Sequence, residues 1–204
     1  MSGDTELVVL LAEDGSRLGT VAKGFVHSTQ TPLHLAFSCH VYDSSGRVLV
    51  TRRSIAKRTW PGVWTNAFCG HPAPDESMED SMIRRAQQEL GITIDSIEPV
   101  LPQFRYRAVD ASGIVENEVC PVYRAVTTDA VDANPNEVAE WRWVDPAALL
   151  SSVEATPFAF SPWLVLQLAQ RARGERGEQL GGGAAGRVSA IDSLTRPLAT
   201  RLYR

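Results

Sequence analysis

Two carboxylates placed two residues apart are the first feature of this chain that suggests chemistry. Glu116 and Glu118 lie in IVENEVCP, whose apolar neighbours are typical of a β-strand. Side chains two apart on a strand point to the same face, so the two carboxylates lie side by side and repel each other. A bound cation would relieve the repulsion, and a solvated edge strand would also tolerate it. The segment therefore predicts a metal site, with an exposed strand edge as the alternative.

The histidines supply further candidate ligands. The sequence has four, and His71 stands out because it follows Cys69 by two residues, just before a predicted helix. His27 and His34 bracket a proline-containing loop, whereas we expect His40 to be structural. Imidazole nitrogens together with carboxylates suit a divalent ion such as Zn²⁺, Mn²⁺ or Mg²⁺. These histidines form one site only if the fold brings them together.

Cys69 lies in the short motif CGHP, which we expect to form a loop. A cysteine inside a protein is most often inert packing, but a neighbouring imidazole can shift the pKa of a thiol and change its reactivity. The three cysteines have no spacing that indicates a zinc finger or a disulfide framework. A reduced, cytoplasmic protein is the simplest interpretation.

A well-specified helix follows this motif, in SMEDSMIRRAQQELG. Ser77 is placed to cap its first turn, and Gly91 is placed to end it. Apolar residues that recur with helical spacing predict a buried stripe. The stripe consists of Met78, Met82, Ile83, Ala86 and Leu90. Arg85 and Glu89, four residues apart, share an adjacent face, where a surface ion pair is the simplest expectation.

Strands precede this helix, and strands and helices alternate after it. LVVLLA and RLGTVA predict an N-terminal strand pair, and LHLAFSCHVYDSSGRVLVTRR predicts a longer hairpin. QFRYRAVD, ASG and IVENEVCPVYRAV predict a strand, a turn and one long strand, and EVAEWRWVD predicts another strand. PAALLSS and SPWLVLQLAQRAR predict helices, the second capped by Ser161 with Pro162 in its first turn. This order predicts a mixed α/β class in layers.

Length and composition limit the class of protein. A chain of 204 residues with a net charge of −4 suggests one main domain and gives no reason to expect a nucleic-acid or membrane partner. No segment approaches the roughly 18 apolar residues of a membrane span, and the N-terminus lacks the basic region of a secretory signal. We expect a folded domain over 1–173 and a flexible, glycine- and arginine-rich tail over 174–204.

The stretch from position 70 to position 91 resembles the Nudix box. In that motif a glycine, five residues, a glutamate, seven residues and then Arg-Glu-x-x-Glu-Glu-x-Gly build a metal–diphosphate site. The matching positions are Gly70, Glu76, Arg84, Glu89 and Gly91. Two box glutamates are replaced by Arg85 and Gln88. This loss argues against hydrolysis and leaves one carboxylate, enough for one Mg²⁺ on a diphosphate.

The altered box is similar to that of type I isopentenyl-diphosphate Δ-isomerases, which are Nudix-superfamily members. HLAFS, VLVTRR, WPGVWTN, CGHP, FRYRA, SGIVENEVCP and ATPFAFSPW resemble segments of that family in the same order. The resemblance implies an α/β fold with a mixed sheet sandwiched between helices (α/β/α) and extra N-terminal strands. It implies a monomeric enzyme of isoprenoid precursor biosynthesis, which interconverts isopentenyl diphosphate and dimethylallyl diphosphate by a 1,3-allylic proton shift.

The same resemblance implies a role for each matching residue. It implies a metal centre for Mn²⁺, Zn²⁺ or Mg²⁺ on His27, His34, His71, Glu116 and Glu118. It implies a Mg²⁺ site, in contact with the diphosphate, on Glu89 and the main-chain carbonyl of Cys69. It implies substrate binding by Lys23, Arg53, Lys57, Arg85 and, at the hydrocarbon end, Trp163. It implies catalysis by Cys69, Glu118 and Tyr106.

The implied reaction needs two proton-transfer groups on opposite faces of the substrate. Protonation of the terminal alkene carbon gives a tertiary carbocation, which then loses a different proton from C2. We expect Glu118, helped by Tyr106, to deliver the first proton and Cys69 to remove the second, and the reverse assignment stays open. The aromatic face of Trp163 would stabilise the cation, although Trp163 would also serve as a core anchor.

Two other functions fit parts of the same pattern. A Nudix hydrolase would act on a nucleoside or prenyl diphosphate, but two glutamates of its metal cluster are missing. A non-catalytic diphosphate-binding module would need no reactive groups, yet Cys69, Glu118 and the histidine set are all present. The residues therefore favour the isomerase over both alternatives.

Overall fold

The computed structural model describes residues 6–181, with side chains up to residue 174. Within this range the chain forms twelve strands and four α-helices. The strands are β1 (Leu7–Leu11), β2 (Arg17–Ala22), β3 (His34–Leu35), β4 (Phe37–Tyr42), β5 (Val48–Arg53), β6 (Trp64–Thr65), β7 (Phe68–Gly70), β8 (Asp95–Leu101), β9 (Arg105–Val109), β10 (Val115–Val119), β11 (Val122–Val126) and β12 (Val138–Val144). The helices are α1 (Lys23–Val26), α2 (Met78–Leu90), α3 (Pro146–Ala155) and α4 (Pro162–Gly181).

A seven-stranded mixed sheet forms the centre of the fold. Its order is β12-β5-β4-β11-β8, with β6 paired to β5 and β7 paired to β4. Alternate side chains of β4 face opposite layers. Phe37, Cys39 and Val41 join the buried cluster that includes the apolar side of α2, whereas Ser38 and His40 face α4. Helices therefore cover both faces of this sheet, which confirms the predicted α/β/α layering.

A five-stranded sheet, in the order β2-β1-β3-β10-β9, contains the N-terminal strands that the sequence predicts. Strand β10 pairs in parallel with β3 and antiparallel with β9. Its register places Glu118 opposite His34 on one side and opposite Tyr106 on the other. Three predicted site residues therefore lie in one row across three neighbouring strands.

The segment VENEVCPVYRAV forms two strands rather than the single long strand that the sequence predicts. Strand β10 ends at Val119 in one sheet, and β11 begins at Val122 in the other. Pro121 lies between them and has no N–H to donate to a strand ladder, which favours a break. The two sheets are joined at this bend, directly after the strand that carries Glu118.

Helix α2 begins and ends where the sequence predicts. The Ser77 hydroxyl accepts a hydrogen bond from the Asp80 N–H, and Gly91 adopts a left-handed conformation with φ 63°. The prediction for Ile83 was wrong, because its side chain is 42% exposed. Met82, its neighbour in the chain, is buried, and one residue further along a helix turns the next side chain by about 100°.

The expectation of a surface ion pair between Arg85 and Glu89 was also wrong. Both side chains are buried, with exposures of 6% and 7%, and their helix packs against strand β7. Gly70 on that strand makes the close approach feasible. A Cβ atom at Gly70 would lie 2.9 Å from Cγ of Arg85 and 2.8 Å from the ring of Phe37. The absence of a side chain at position 70 therefore allows the charged pair to lie inside the fold.

Strands β6, β7 and β8 and helix α1 were not predicted, and one helix is longer than expected. Strand β8 shows no simple alternation of buried and exposed residues, and α1 is a single turn, so neither gives a clear sequence signal. Helix α4 continues through Gly181, beyond position 173 where the sequence suggests that a flexible tail begins. The rest of that predicted tail, 182–204, lies outside the described residues.

Candidate active site

Three histidines and a glutamate from separate parts of the chain meet at one point. One ligand atom each of His27, His34, His71 and Glu118 lies within 4.8 Å of the others. His27 follows α1, His34 lies on β3, His71 follows β7 and Glu118 lies on β10. With Glu116 they form the histidine–glutamate cluster: His27, His34, His71, Glu116 and Glu118. The five predicted ligands of the first metal centre are thus brought together.

Short contacts between imidazoles and carboxylates define this cluster. Oε2 of Glu116 lies 2.8 Å from Nε2 of His27. Oε1 of Glu118 lies 3.4 Å from Nε2 of His34 and 3.4 Å from Nε2 of His71. The three imidazole rings surround the same space, with centroids 5.2 to 5.8 Å apart. Their nitrogens and the carboxylate oxygens therefore converge.

The polar atoms of the cluster fit a divalent cation. Nε2 of His27, Nε2 of His34, both ring nitrogens of His71 and Oε2 of Glu116 are buried and lack a hydrogen-bond partner among the described residues. Leaving a buried polar atom unpaired costs about 1–3 kcal/mol, and a cation would engage several of these lone pairs at once. Nδ1 of His34 lies 2.9 Å from the Pro32 carbonyl oxygen, which can only accept, so the neutral ring keeps its lone pair on Nε2.

The protonation states of the cluster also suit a metal. Burial raises the pKa of Glu118, but His34 and His71 outweigh it and hold that pKa well below its ordinary value. Burial lowers the pKa of His71. Burial also lowers the pKa of His34, but the Glu118 carboxylate outweighs it, and the net shift is upward. An ionised Glu118 beside a neutral His71 is the form that metal ligation requires.

Cys69 lies on strand β7 rather than in the predicted loop. Its sulfur is 3.1 Å from Oγ of Ser38 and 3.4 Å from Nδ2 of Asn66. Burial raises the pKa of the Cys69 thiol to about 11, although hydrogen bonds from Ser38 and Asn66 lower it, and the charge of Glu118 adds to the rise. The sequence predicted a shifted pKa for this thiol, and in the structure the shift is upward. Cys69 therefore keeps its proton at neutral pH.

Aromatic rings form one wall beside Cys69. The Trp163 ring lies 5.6 Å from Trp60 and 5.8 Å from Tyr106, and it is 3% exposed. The guanidinium of Arg53 lies over the same ring, 5.2 Å from its centroid. Burial, together with the charge of Glu118, raises the pKa of Tyr106 well above its ordinary value, so the phenol keeps its proton. Trp163 is at once a wall of the site and a buried anchor of α4.

Basic residues predicted to bind diphosphate also lie near Cys69. A cavity of about 30 Å³ is lined by Arg53, Lys57, Cys69, Glu89 and Glu137, among others. Nε of Arg85 donates to Oε1 of Glu89 at 3.0 Å, and Lys57 pairs with Glu137. We call this group the cation clamp: Arg53, Lys57, Arg85, Glu89 and Glu137. The structure thus unites three of the four predicted basic residues with the predicted Mg²⁺ ligand.

Lys23 is the predicted substrate-binding residue that stands apart. Its Nζ lies 2.8 Å from Oε2 of Glu6, and Lys23 does not line the small cavity. Sequence reasoning missed the partners that orient the site. They are Ser38, Thr59, Asn66, Glu137 and Gln167. Their contacts join residues far apart in the chain, so no local spacing could indicate them, although Asn66 lies within the motif WPGVWTN.

His40 is structural, as the sequence predicts, and lies outside the cluster. It is 1% exposed, and its Nε2 lies 2.9 Å from Oε1 of Gln167. Burial lowers its pKa to about 4. A cavity of about 260 Å³ near His40 is lined by His40, Tyr42, Leu149 and Arg171, among others. The predicted site residues are not among those that line this larger cavity.

The comparison with known sequences gives strong matches. The NUDIX domain family matches residues 32–164. A Clavibacter sepedonicus protein named isopentenyl-diphosphate Delta-isomerase is 64% identical over 168 residues, which are 82% of this chain and 88% of that protein. A protein of the same name from Leifsonia xyli subsp. xyli is 61% identical over 82% of this chain and 92% of its own length. One from Escherichia coli O17:K52:H18 is 53% identical over 81% and 91%.

Solved structures share the fold at low sequence identity. DR0079 from Deinococcus radiodurans matches with a TM-score of 0.63 and 19% identity, over 81% of this chain and 98% of that one. The MutT protein from Methanosarcina mazei Go1 matches with a TM-score of 0.56 and 20% identity, over 71% and 96%. Among the described residues, none of the helices has both the length and the apolar character to cross a membrane.

Proposed function

The chain belongs to the isopentenyl-diphosphate Δ-isomerase family and interconverts isopentenyl diphosphate and dimethylallyl diphosphate, and we propose that Cys69 and Glu118 transfer the two protons of that reaction. One observation carries the proposal. Cys69 packs against the buried cluster that contains Tyr106 and Trp163, and Tyr106 is the register partner of Glu118, so the thiol and the carboxylate border one site. They come from different sheets, so the two groups can serve different faces of one substrate.

The pair offers one protonated and one ionised group, which a proton shift requires. With Glu118 at the terminal carbon and Cys69 at C2, an ionised Glu118 and a protonated Cys69 are the states from which dimethylallyl diphosphate reacts. The thiol then protonates C2, and the carboxylate takes a proton from the terminal methyl group. Isopentenyl diphosphate reacts from the opposite states, in which Glu118 carries the proton and Cys69 is a thiolate. The phenol of Tyr106, register neighbour of Glu118, keeps a proton on that side.

The walls of the site suit a carbocation. The aromatic face of Trp163 attracts positive charge and offers no nucleophile, a contribution of about 2 kcal/mol when water is excluded. Trp60 and Trp163 are 8% and 3% exposed, so these side chains keep water from the reacting carbons, which would otherwise yield an alcohol. Tyr106 closes the same wall. The same three rings thus surround the carbocation and keep water away from it.

We propose two divalent ions for the enzyme. The histidine–glutamate cluster would hold Mn²⁺, Zn²⁺ or Mg²⁺, and Glu89 with the Cys69 carbonyl would hold a Mg²⁺ that also meets the diphosphate. When bound, the first ion supplies positive charge that organises the Glu118 carboxylate. Arg53, Lys57 and Arg85 bind the diphosphate by charge and by hydrogen bonds, and they hold the hydrocarbon end against Trp163. The cytoplasmic location and the monomeric state stay predictions.

Hydrolysis of a diphosphate is the competing reaction on a NUDIX domain. Glu76, a carboxylate retained from the box, is paired with Arg84 at 2.6 Å and also accepts a hydrogen bond from the Ala73 N–H. Glu89 is paired with Arg85. Glu76 is therefore committed to a cation of the chain itself. With two box glutamates replaced by Arg85 and Gln88, the cluster of carboxylates that would activate water for hydrolysis is reduced.

Nuclear magnetic resonance in D₂O tests the function directly. Purified protein, isopentenyl diphosphate and Mg²⁺ are combined with and without Mn²⁺ or Zn²⁺, and proton and phosphorus spectra are followed together. We expect dimethylallyl diphosphate that carries deuterium and no release of phosphate. An unchanged alkene with accumulating monophosphate or phosphate would establish a hydrolase. Binding of the diphosphate without turnover at any metal concentration would establish a binding module.

A further inference from the structure

A chain of hydrogen bonds runs from the catalytic thiol along the face of the central sheet that α4 covers. Sγ of Cys69 lies 3.1 Å from Oγ of Ser38, which accepts a hydrogen bond from Nε2 of Gln167 at 2.9 Å. Oε1 of Gln167 lies 2.9 Å from Nε2 of His40. Ser38, His40 and Gln167 are all at most 1% exposed. Helix α4 therefore reaches the sulfur through side chains that are shielded from water.

The amide of Gln167 gives this chain a direction. Because its NH₂ group donates to Ser38, its oxygen must accept from His40, whose Nε2 carries the proton. Ser38 then has its own hydroxyl proton to donate. The Cys69 sulfur at 3.1 Å is nearer to that hydroxyl than the Cys120 sulfur at 3.6 Å. The Ser38 hydroxyl is therefore placed to donate to the sulfur of Cys69.

Asn66 completes the arrangement from the other side. Its Oδ1 accepts from Nε1 of Trp163 at 3.0 Å and from Oγ1 of Thr65 at 3.0 Å, and these two donors occupy both lone pairs. The same Oδ1 lies 3.5 Å from the Cys69 sulfur, which is the longest of its three contacts. Its Nδ2 is held by the main-chain oxygens of Cys39 and Phe68 and faces the Cys69 sulfur at 3.4 Å. The two nearest polar side chains thus approach the sulfur as donors.

We propose that Ser38, Gln167 and His40 are positioning residues for Cys69. They fix the Ser38 hydroxyl as a donor to the sulfur, so that the proton of the thiol is left to point into the substrate space. The inference rests on the proposed function, because it assigns these residues to the Cys69 step of the isomerisation. His40, which lies outside the metal cluster, acquires a role through the direction that it imposes on Gln167.

A variant that reverses the hydrogen bond between Gln167 and Ser38 tests this proposal. Gln167→Glu keeps the size of the side chain and its acceptor toward His40, but it replaces the donor toward Ser38 by an acceptor. The Ser38 hydroxyl then turns to the new carboxylate and leaves the sulfur. We expect kcat to fall roughly tenfold to a hundredfold, the effect of one lost or misdirected hydrogen bond, with little change in KM. Ser38→Ala should lower kcat by a similar factor.

The double variant separates positioning from simple loss of packing. If both changes remove the same hydrogen bond, Ser38→Ala combined with Gln167→Glu lowers kcat no further than either change alone. His40→Gln keeps a donor for Oε1 of Gln167 and should retain most of kcat. Arg171→Gln is the matched control, because it changes a residue one turn further along α4 that contacts Tyr42 and not Ser38. Its kcat should equal that of the unaltered protein.

The outcomes are distinct. Unchanged kcat in Gln167→Glu, or a double variant whose losses multiply, would overturn the positioning role while the isomerase remains intact. Equal losses in all variants including Arg171→Gln, with lowered thermal midpoints, would show a packing role only and would also overturn it. Failure of the proposed function itself would appear differently, as an unaltered protein that does not isomerise isopentenyl diphosphate.

Discussion

The histidine–glutamate cluster and the cation clamp both lie beside Cys69, but their charges are satisfied in different ways. In the cluster, buried nitrogens of three histidines and one oxygen of Glu116 have no hydrogen-bond partner among the described residues. In the clamp, Arg85 pairs with Glu89, and Lys57 pairs with Glu137. The cluster has buried polar atoms that a cation would engage, whereas two of the three basic residues of the clamp already pair with carboxylates of the chain.

This difference indicates two kinds of ligand. Unpaired lone pairs favour an ion that stays bound, so metal in the cluster should contribute to the stability of the fold. Carboxylates that neutralise the clamp can be displaced, so an incoming diphosphate competes with Glu137 for Lys57. Burial raises the pKa of Glu137, but Lys57 outweighs it and holds that pKa below its ordinary value, which keeps Glu137 ionised. We therefore expect a metal that stays bound in the cluster and a diphosphate that exchanges in the clamp.

The largest effects should come from the two groups between these regions. Cys69→Ala and Glu118→Gln each remove one proton-transfer group, and we expect turnover to fall roughly 10²- to 10⁴-fold. Steady-state kinetics with isopentenyl diphosphate measures this loss. Calorimetry with inorganic diphosphate is the control, since the clamp is unchanged and binding should persist. Loss of diphosphate binding together with turnover would show that these side chains hold the fold and not the chemistry.

Metal addition should stabilise the protein through the cluster. At a free Mn²⁺ concentration about a hundredfold above its dissociation constant, the gain is about 2.7 kcal/mol, or roughly 5–10 °C in the thermal midpoint. His71→Gln should lose most of that shift. His40→Gln should retain it, because His40 is bound to Gln167 and contributes no ligand. A full shift in the His71 variant would place the ion elsewhere.

A carboxylate of the clamp should govern the second ion. Glu89→Gln removes the charge of the predicted Mg²⁺ ligand but keeps its shape. We expect the Mg²⁺ concentration for half-maximal activity to rise about tenfold, the effect of roughly 1.4 kcal/mol. The thermal shift with Mn²⁺ should stay unchanged, since the cluster is intact. An unaltered Mg²⁺ requirement would remove Glu89 from the diphosphate site.

The smallest effect should come from the carboxylate that faces the clamp cations. Glu137→Gln frees Lys57, and it removes a negative charge 3.7 Å from Arg85. Inorganic diphosphate should then bind severalfold more tightly, on the order of 1 kcal/mol for a partly exposed ion pair. Calorimetry in the absence of metal gives the comparison. Weaker binding would mean that Glu137 orders Lys57 for the substrate and does not compete with it.

The sequence predicted most of the elements because local signals specify them. Ser77 and Gly91 mark the ends of α2, and Pro162 marks the start of α4, since caps and proline act on their own neighbours. Ile83 was placed in the core although the helix turns it to solvent. The break at Pro121 was missed because the apolar residues continue on both sides of it. The two strands belong to different sheets, which only the fold shows.

The site was predicted as a set of residue types but not as a network. Glu116 and Glu118 show their common face through their spacing, and the resemblance joined the three candidate histidines to them in one centre. The burial of Arg85 was not predicted, because it depends on Gly70 of another strand. The direction of the bonds around Cys69 depends on Gln167, far away in the chain. Contacts between residues far apart in the chain depend on the fold, so no local sequence pattern predicts them.

The most direct test is a crystal structure of the protein grown with Mn²⁺ and inorganic diphosphate, with diffraction recorded at the manganese absorption edge. We expect an anomalous peak among the ring nitrogens of His27, His34 and His71 and the carboxylate of Glu118, and a diphosphate against Arg53 and Lys57. Diphosphate in the clamp of an active protein, with no anomalous peak in the cluster, would contradict the assignment of the cluster as a metal centre.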